Sequence, residues 1–496
     1  MKKKPNIIYI MNDHQAYYNH TADNYGPQTP NFDKLASEGV KFENAYCATP
    51  LCGPVRRSIL NGLYAHTHKQ HYNDSAMPYT EESYLRLLAN NDYKNYYFGK
   101  WHAGPSTPME QHNCEGFSCT GYGNPYITDE YKEYLKEMNL PKAQHLIEKD
   151  FSTSSHRESH YFEKMKEGEL YSCEDFWCGE HAVGKTVTPK ETHEAFFLAH
   201  LAIKQLEELA KNKDKQQPFH LRLDFWGPHE PFFPTQEFIN MYDPAKIKEY
   251  GNFSDDLKNK AEVQRVDSNN YLSDGNNRLI VPSPLPWSEW QQILTRVYAH
   301  ISMVDAAGGL VLDKIKELGL DQNTLIVWTT DHGDAVASHG GHFDKVSYMT
   351  QEVMRIPMAM KWKGIIPEGS ISNDLVCNLD MPETILDAAG LKFNQKVHGR
   401  TLLDLFRDNK DSWRTGLMCE TNGHGYIERL PGRMFVKGDW KYVWFENQKE
   451  ELYNLKEDPF EMINLVDFVE YDSKKEELKN LLRLEEIRTD DPVLID

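Results

Sequence analysis

The 496-residue sequence predicts an α/β domain around a large, mixed and mostly parallel sheet, followed by a smaller C-terminal α+β subdomain with an antiparallel sheet. Three observations predict it. Short apolar runs alternate with longer stretches of helical spacing up to about residue 400, the pattern of successive βαβ units. Beyond that point the texture changes to short strand-like runs separated by turn residues. Apolar residues make up 40% and charged residues 26%, values normal for a globular chain long enough to bury a large core.

The strand runs are 6–11, 93–98, 220–226, 324–329 and 356–362. Between them, Thr29 as N-cap, Pro30 at the first position and Gly39 as the stop mark one helix. Residues 193–211 and 290–318 space their apolar side chains as further helices do. The stretch 105–187 is the least regular, rich in Tyr, Gly and Cys, and reads as excursions around a pocket. Past residue 400, runs 433–436, 441–445 and 451–455 are short strands, and a charged helix follows near 473–488. The expected division is a catalytic α/β domain over 1–400 and a subdomain over 401–496.

Charge and composition exclude some classes. Lysine and arginine total 55 against 75 acids, a net charge of -20. That balance argues against a nucleic-acid partner, which needs a basic surface. No apolar run approaches the ~20 residues of a membrane span. The opening lysines precede an apolar stretch, 7–11, far too short for a signal peptide and ended by Asn12 and Asp13, so the expected compartment is the cytoplasm. Eight cysteines in so long a chain do not resemble a disulfide framework.

In open parallel sheets, ligands bind beyond the carboxyl ends of the strands. Four of the apolar runs lead directly to reactive side chains: Asp13 and His14, Lys100 and His102, His229, and Asp331 and His332. Any one Asp-His pair is more simply a cap or a satisfied histidine. Two pairs at strand ends make a ligand set for a divalent cation. Cys52 lies in Cys52-Gly53-Pro54-Val55-Arg56, where Pro54 can open a helix that ends near Gly62. A cysteine just before a helix N-terminus sits in an anion-binding position, with Arg56 one turn away.

These residues resemble a known family. Cys52-Gly53-Pro54-Val55-Arg56 is similar to the C-x-P-x-R signature of type I sulfatases, whose cysteine is oxidised to formylglycine. Residues 5–15 resemble that family's first strand and metal loop, and Phe98-Gly99-Lys100-Trp101-His102-Ala103-Gly104 resembles its G-K-W-H-x-G motif. Pro228-His229-Glu230-Pro231 and Thr330-Asp331-His332-Gly333-Asp334 with Lys345 resemble its histidine loop and second metal loop. Glu451-Leu452-Tyr453-Asn454-Leu455 before Asp458-Pro459 resembles its C-terminal subdomain. The likeness implies the alkaline-phosphatase-like sandwich. It also implies a sulfatase that releases an alcohol and inorganic sulfate from a small-molecule or saccharide sulfate ester.

The implied parts follow. One divalent metal is held by Asp13, His14, Asp331 and His332 with residue 52: calcium by resemblance, with manganese or zinc admitted because position 14 is an imidazole where many members carry a second Asp. A formylglycine-generating maturase converts Cys52, and Val55 stands where serine or alanine is usual. Arg56 and Lys100 hold residue 52, Lys100 and Lys345 neutralise sulfate, His229 protonates the leaving alcohol and His102 takes the proton of the second hydroxyl. Asn73, His424 and Arg429 are candidate substrate contacts, with Glu420 and Asn422 beside them. His66, His68 and His71 are either pocket residues or solvated, and Cys114, Cys119, Cys173 and Cys178, near His112 and His181, read as free thiols rather than a zinc site. The alternative function is a phosphonate or phosphate monoester or diester hydrolase on the same site. Lys100 and His102 favour the sulfatase branch.

Overall fold

The structure is a computed structural model that describes residues 4–17, 25–73, 75–150, 166–173, 182–211, 217–265, 285–407, 413–424, 429–493 and 495. An eight-stranded sheet lies at its centre. In chain order its strands are β1 (Asn6–Asn12), β2 (Val40–Phe42), β3 (Lys94–Lys100), β4 (Cys114–Cys119), β5 (Phe219–Asp224), β6 (Thr324–Thr330), β7 (Met358–Lys361) and β8 (Ser370–Ser372). Across the sheet they run β8-β2-β7-β6-β1-β5-β3-β4. The strands from β6 to β4 are all parallel, whereas β7 is antiparallel to both β6 and β2.

Alternation along the strands splits the core. Ile8 and Ile10 of β1, Leu221 and Leu223 of β5, and Ile326 and Trp328 of β6 share one core with the helices α3 (Glu194–Lys211) and α4 (Trp287–Glu317). Tyr9, Met11, Leu325 and Val327 share another with Val55 and Ile59 of α2 (Cys52–Asn61). Successive side chains on a strand point to opposite faces. Because both faces are covered, every residue of β6 is buried, which is why that run carries no polar alternation.

The second core continues into a four-stranded antiparallel sheet, β9 (Leu417–Thr421), β10 (Gly432–Lys437), β11 (Trp440–Phe445) and β12 (Glu451–Asn454). Leu478 and Leu482 of the terminal helix α5 (Asp472–Thr489) join the same cluster. β9 adds one strand to the three expected. The irregular 105–187 stretch contains β4 and a three-stranded antiparallel sheet of His145–Asp150, Leu170–Tyr171 and Ala182–Thr186. β4 was hidden because an edge strand with only two of its six residues buried has no continuous apolar run. Among the described residues, no helix is long and apolar enough to cross a membrane.

Helix α1 (Pro30–Ser37) begins after Thr29 as expected, yet the Thr29 side chain makes no capping bond. The free N–H groups of Asn31 and Phe32 instead donate to the Asp305 carboxylate of α4 at 3.0 and 2.9 Å. Burial pushes the Asp305 carboxyl up to about 6 in spite of these bonds. A carboxyl raised above its unfolded value of ~3.9 stabilises most below that pH, and its contribution is lost as pH rises through the folded value. Asp305→Ala is expected to cost about 2–3 kcal/mol by chemical denaturation, since hydrogen bonds to a charged group carry ~1.5–3 kcal/mol. Thr29→Ala should change stability by less than ~0.5 kcal/mol, the range of a substitution that removes no bond.

Candidate active site

The parallel register brings four strand ends to one edge of the sheet. Asn12 lies beside Thr330, Met11 beside Asp224, and Asp224 beside Gly99. The residues that follow, Asp13, Asp331, Lys100 and His229, therefore leave the sheet side by side. Helix α2 meets them from the second face. It starts at Cys52, two residues earlier than Pro54 suggests, and ends on Gly62 with left-handed backbone (φ 70). Asn73 Oδ1 accepts from Gly53 N at 2.8 Å, so Asn73 caps this helix rather than lying free in the cleft.

Cys52 is buried, with Sγ 3.0 Å from His332 Nε2 and 3.7 Å from Asp13 Oδ1. His332 Nδ1 lies 2.9 Å from Gly333 O, which assigns the proton to Nδ1 and leaves the Nε2 lone pair facing Cys52. Asp331 Oδ1 accepts from His14 N and His332 N at 3.0 and 2.8 Å. Asp13, Cys52, Asp331 and His332 present ligand atoms within 4.8 Å of one another, all buried.

Arg56, one turn into α2 and fully buried, ties these parts together. Its Nε donates to Asp331 Oδ2 at 2.9 Å, and its Nη1 to Asp224 Oδ2 at 3.2 Å and Lys100 O at 2.9 Å. Nη2 lies 3.8 Å from Asp13 Oδ2 and makes no hydrogen bond. Lys100 Nζ donates to the same oxygen, Asp13 Oδ2. Burial pushes the Asp331 carboxyl up, but His332, Arg56 and Lys100 outweigh it and hold it well below the usual range. Asp13 is raised by burial and by the charge of Asp331. Burial likewise raises the Cys52 thiol, so an unmodified Cys52 stays protonated and weakly nucleophilic.

His14 does not join this cluster. Its backbone is left-handed (φ 63), and its ring turns to three carboxylates: Glu230 at 2.9 Å from Nδ1, and Asp334 and Asp344 at 3.4 and 3.5 Å from Nε2. Burial and Lys345 push its pKa down, yet Asp334 and Glu230 prevail and hold it at about 10. His229 packs edge-on against His14, with ring centroids 4.8 Å apart, and its Nδ1 lies 2.8 Å from Glu230 O. Burial, Lys345 and Lys100 keep its imidazole well below the ordinary value. Lys345 Nζ donates to Asp344 Oδ1 at 3.1 Å, and His424 Nε2 lies 4.0 Å from Asp344 Oδ2.

With that geometry in place, comparison with known proteins settles the family. The sulfatase family model matches residues 5–391. The chain belongs to the sulfatase family. A second model, N-sulphoglucosamine sulphohydrolase C-terminal, matches residues 338–490. An N-acetylglucosamine-6-O-sulfatase of Bacteroides thetaiotaomicron is 26% identical over 97% of this chain and 86% of its own length. An arylsulfatase of Clostridium perfringens is 25% identical over 97% and 94%. A protein solved with its substrate D-glucosamine-2-N,6-O-disulfate superposes with a TM-score of 0.70 at 22% identity, covering 99% of both chains. A phosphonate monoester hydrolase of Silicibacter pomeroyi superposes at 0.76 with 17% identity, over 99% and 96%. These solved structures carry the alkaline-phosphatase-like fold. The protein is a sulfuric ester hydrolase.

Several residues singled out from the sequence make other contacts. Arg429 is exposed and pairs with Glu446 at 3.0 and 3.2 Å. His66 binds Glu420 at 2.7 Å and Thr489 O at 3.2 Å, and His68 binds Ser58 at 3.0 Å. These histidines join α2 and its following turn to the small sheet and α5. Cys114, Cys119 and Cys173 are free thiols, and Cys178 and His181 lie outside the described residues. Two residues carried no motif signal: Asp224, and Asn378, whose Nδ2 donates to Asp331 O at 2.7 Å. The clue to Asp224 was a charged pair, Arg222 and Asp224, spaced two apart on one face of a buried strand.

Arg56 provides a test of this knot. Arg56→Met removes the cation from buried Asp331 and Asp224, which is expected to destabilise the sulfatase by about 3–5 kcal/mol, the cost of breaking a buried pair by deleting one partner. Denaturant unfolding measures it. A loss below ~1 kcal/mol, typical of exposed pairs, would contradict the role.

Proposed function

We propose that residue 52 works as a formylglycine made from the Cys52 thiol by a maturase, that Asp13, Asp331 and His332 hold one divalent cation beside it, and that the substrate is a saccharide sulfate ester. The convergence of those three donors on residue 52, under Arg56, carries the reading. Two carboxylates and an imidazole with a free Nε2 suit a hard or borderline dication such as calcium or manganese. Arg56 Nη2, buried without a hydrogen bond, fits an added oxygen at position 52, where the thiol has none. The saccharide is supported by the N-acetylglucosamine-6-O-sulfatase relative and by the disulfated glucosamine of the superposed structure.

When bound, the cation acidifies the residue-52 oxygen and offsets sulfate charge, and a hydrated aldehyde supplies a second hydroxyl that a thiol lacks. The chain's own residues do the rest. Arg56 and Lys100 hold residue 52, and Lys100 and Lys345 neutralise the sulfate oxygens. His102 accepts the proton of the second hydroxyl, which lets sulfate leave. His229, its Nδ1–H committed to Glu230 O, offers Nε2 to the leaving oxygen. In the ligand-free protein burial, Lys345 and Lys100 disfavour a proton there, and the anionic ester offsets the two lysines. Asn73 holds the start of α2 at residue 52, and His424, beside Asp344, is a substrate contact.

Peptide mapping of sulfatase produced with a maturase is expected to show residue 52 lighter by about 18 Da, the change from thiol to aldehyde. A fully active enzyme with an intact thiol would sink the reading. In the same preparation, metal analysis of Asp331→Ala should show lost occupancy while His14→Ala retains it.

The leaving-group proton has its own test. General acid catalysis is worth ~10²–10⁴-fold and matters most for a poor leaving group. His229→Ala should therefore collapse turnover of an alkyl sulfate and reduce that of 4-nitrophenyl sulfate much less. Equal losses would refute the acid role, and a leaving-group-dependent loss in Lys345→Ala would assign the proton to Lys345. Rates on 4-nitrophenyl phosphate alongside the sulfate separate this reading from a phosphoester hydrolase.

A further inference from the structure

The segment after β4 contains Gly121-Tyr122-Gly123, with both glycines in left-handed backbone (φ 62 and 76). A Cβ on Gly123 would approach Cys119 Cβ to 2.4 Å, so the turn is open only to glycine. The turn is fixed to the far side of the cleft, because Tyr122 O accepts from Trp226 Nε1 at 2.7 Å. From it the half-buried Tyr122 ring reaches the reaction centre. Lys100 Nζ stands 4.0 Å from the ring centroid. The His102 and His229 rings meet the same ring edge-on, at 5.7 and 5.3 Å. One side chain thus touches the sulfate-binding lysine and both proposed proton carriers, which come from two separate strand ends.

We infer that Tyr122 is a positioning residue of the sulfatase site, whose aromatic face holds the Lys100 ammonium in place to receive the sulfate. The inference rests on the anion-binding role proposed above for Lys100. Asp13 alone would draw that ammonium toward the carboxylate pair. The negative face of a ring on another side offers a second attraction, worth roughly 2- to 30-fold in an equilibrium for a cation over an aromatic ring. The hydroxyl is not required, because the ring quadrupole makes the contact. The same ring limits how far the His102 and His229 imidazoles can rotate, so all three groups take their spacing from one glycine-bounded turn.

The test uses mature, metal-loaded enzyme and two readouts, competitive inhibition by inorganic sulfate and KM against kcat for 4-nitrophenyl sulfate. Tyr122→Leu is expected to raise both the sulfate inhibition constant and KM about 10-fold, within the cation–ring range, with a melting temperature close to wild type. Tyr122→Phe should restore both to within about twofold, as the ring is kept. Pentafluorophenylalanine at position 122, which keeps the shape of Phe and inverts its quadrupole, should behave as the leucine variant does and serves if that variant does not fold. A purely structural role would lower kcat through the active fraction and leave the sulfate constant unchanged. That result, or a phenylalanine variant as defective as leucine, overturns the inference. Calorimetric titration with sulfate alone keeps the two readings apart: Tyr122-dependent anion binding without ester turnover would spare the inference and remove the hydrolytic roles.

Discussion

Arg56 is the interaction on which the rest of the structure depends. Its guanidinium is wholly buried, one turn from residue 52, and bonds Asp331 and Asp224 while lying near Asp13. Those carboxylates come from the ends of three neighbouring parallel strands, β1, β5 and β6. Each would be costly to bury alone, and like charges this close would repel. One planar cation with donors on several sides relieves both problems. It also fixes the angle at which α2 meets the sheet, and so the position of residue 52. Fold stability and the placement of residue 52 are one electrostatic arrangement.

Around that knot lie two layers of charge. The inner layer, Asp13, Asp331, Arg56 and Lys100, encloses residue 52. The outer layer, Glu230, Asp334 and Asp344 with His14 and Lys345, lies on the His229 side. His14 stays cationic because three carboxylates surround it, while His229, 4.8 Å away by ring centroids, is kept neutral by burial and by the cations around it. Two adjacent and equally buried imidazoles thus take opposite charge states because their neighbours differ in charge.

Much of this was legible in the sequence, and the parts that were not have physical reasons. The strand runs at 6–11, 220–226 and 324–329 are buried on both faces and read as strands, so the four reactive strand ends could be assigned to one edge. Cys52, Arg56 and Asp331 follow from motifs. His14 was expected among the metal ligands but turns to Glu230, Asp334 and Asp344, because its direction depends on its own left-handed backbone and on carboxylates far away in the chain. Arg429 was a candidate substrate contact because it opens the small subdomain, but this exposed arginine pairs with half-buried Glu446. β4 escaped because edge strands lack the apolar signature. Thr29 marked its helix correctly by residue type, while the capping bonds came from Asp305, 276 positions further on by sequence number.

The burial of α2 has a consequence for how the protein is made. All ten of its residues are buried, and Cys52 is 1% exposed beneath the strand ends. Another protein's active site cannot surround that thiol without unwinding the helix and breaking the Arg56 contacts. On the proposed conversion, an enzyme that rewrites residue 52 would therefore have to meet the chain while α2 is still extended. The chemical identity of residue 52 would then be decided by a race between that encounter and folding. Molecules that folded first would be correctly shaped and unconverted.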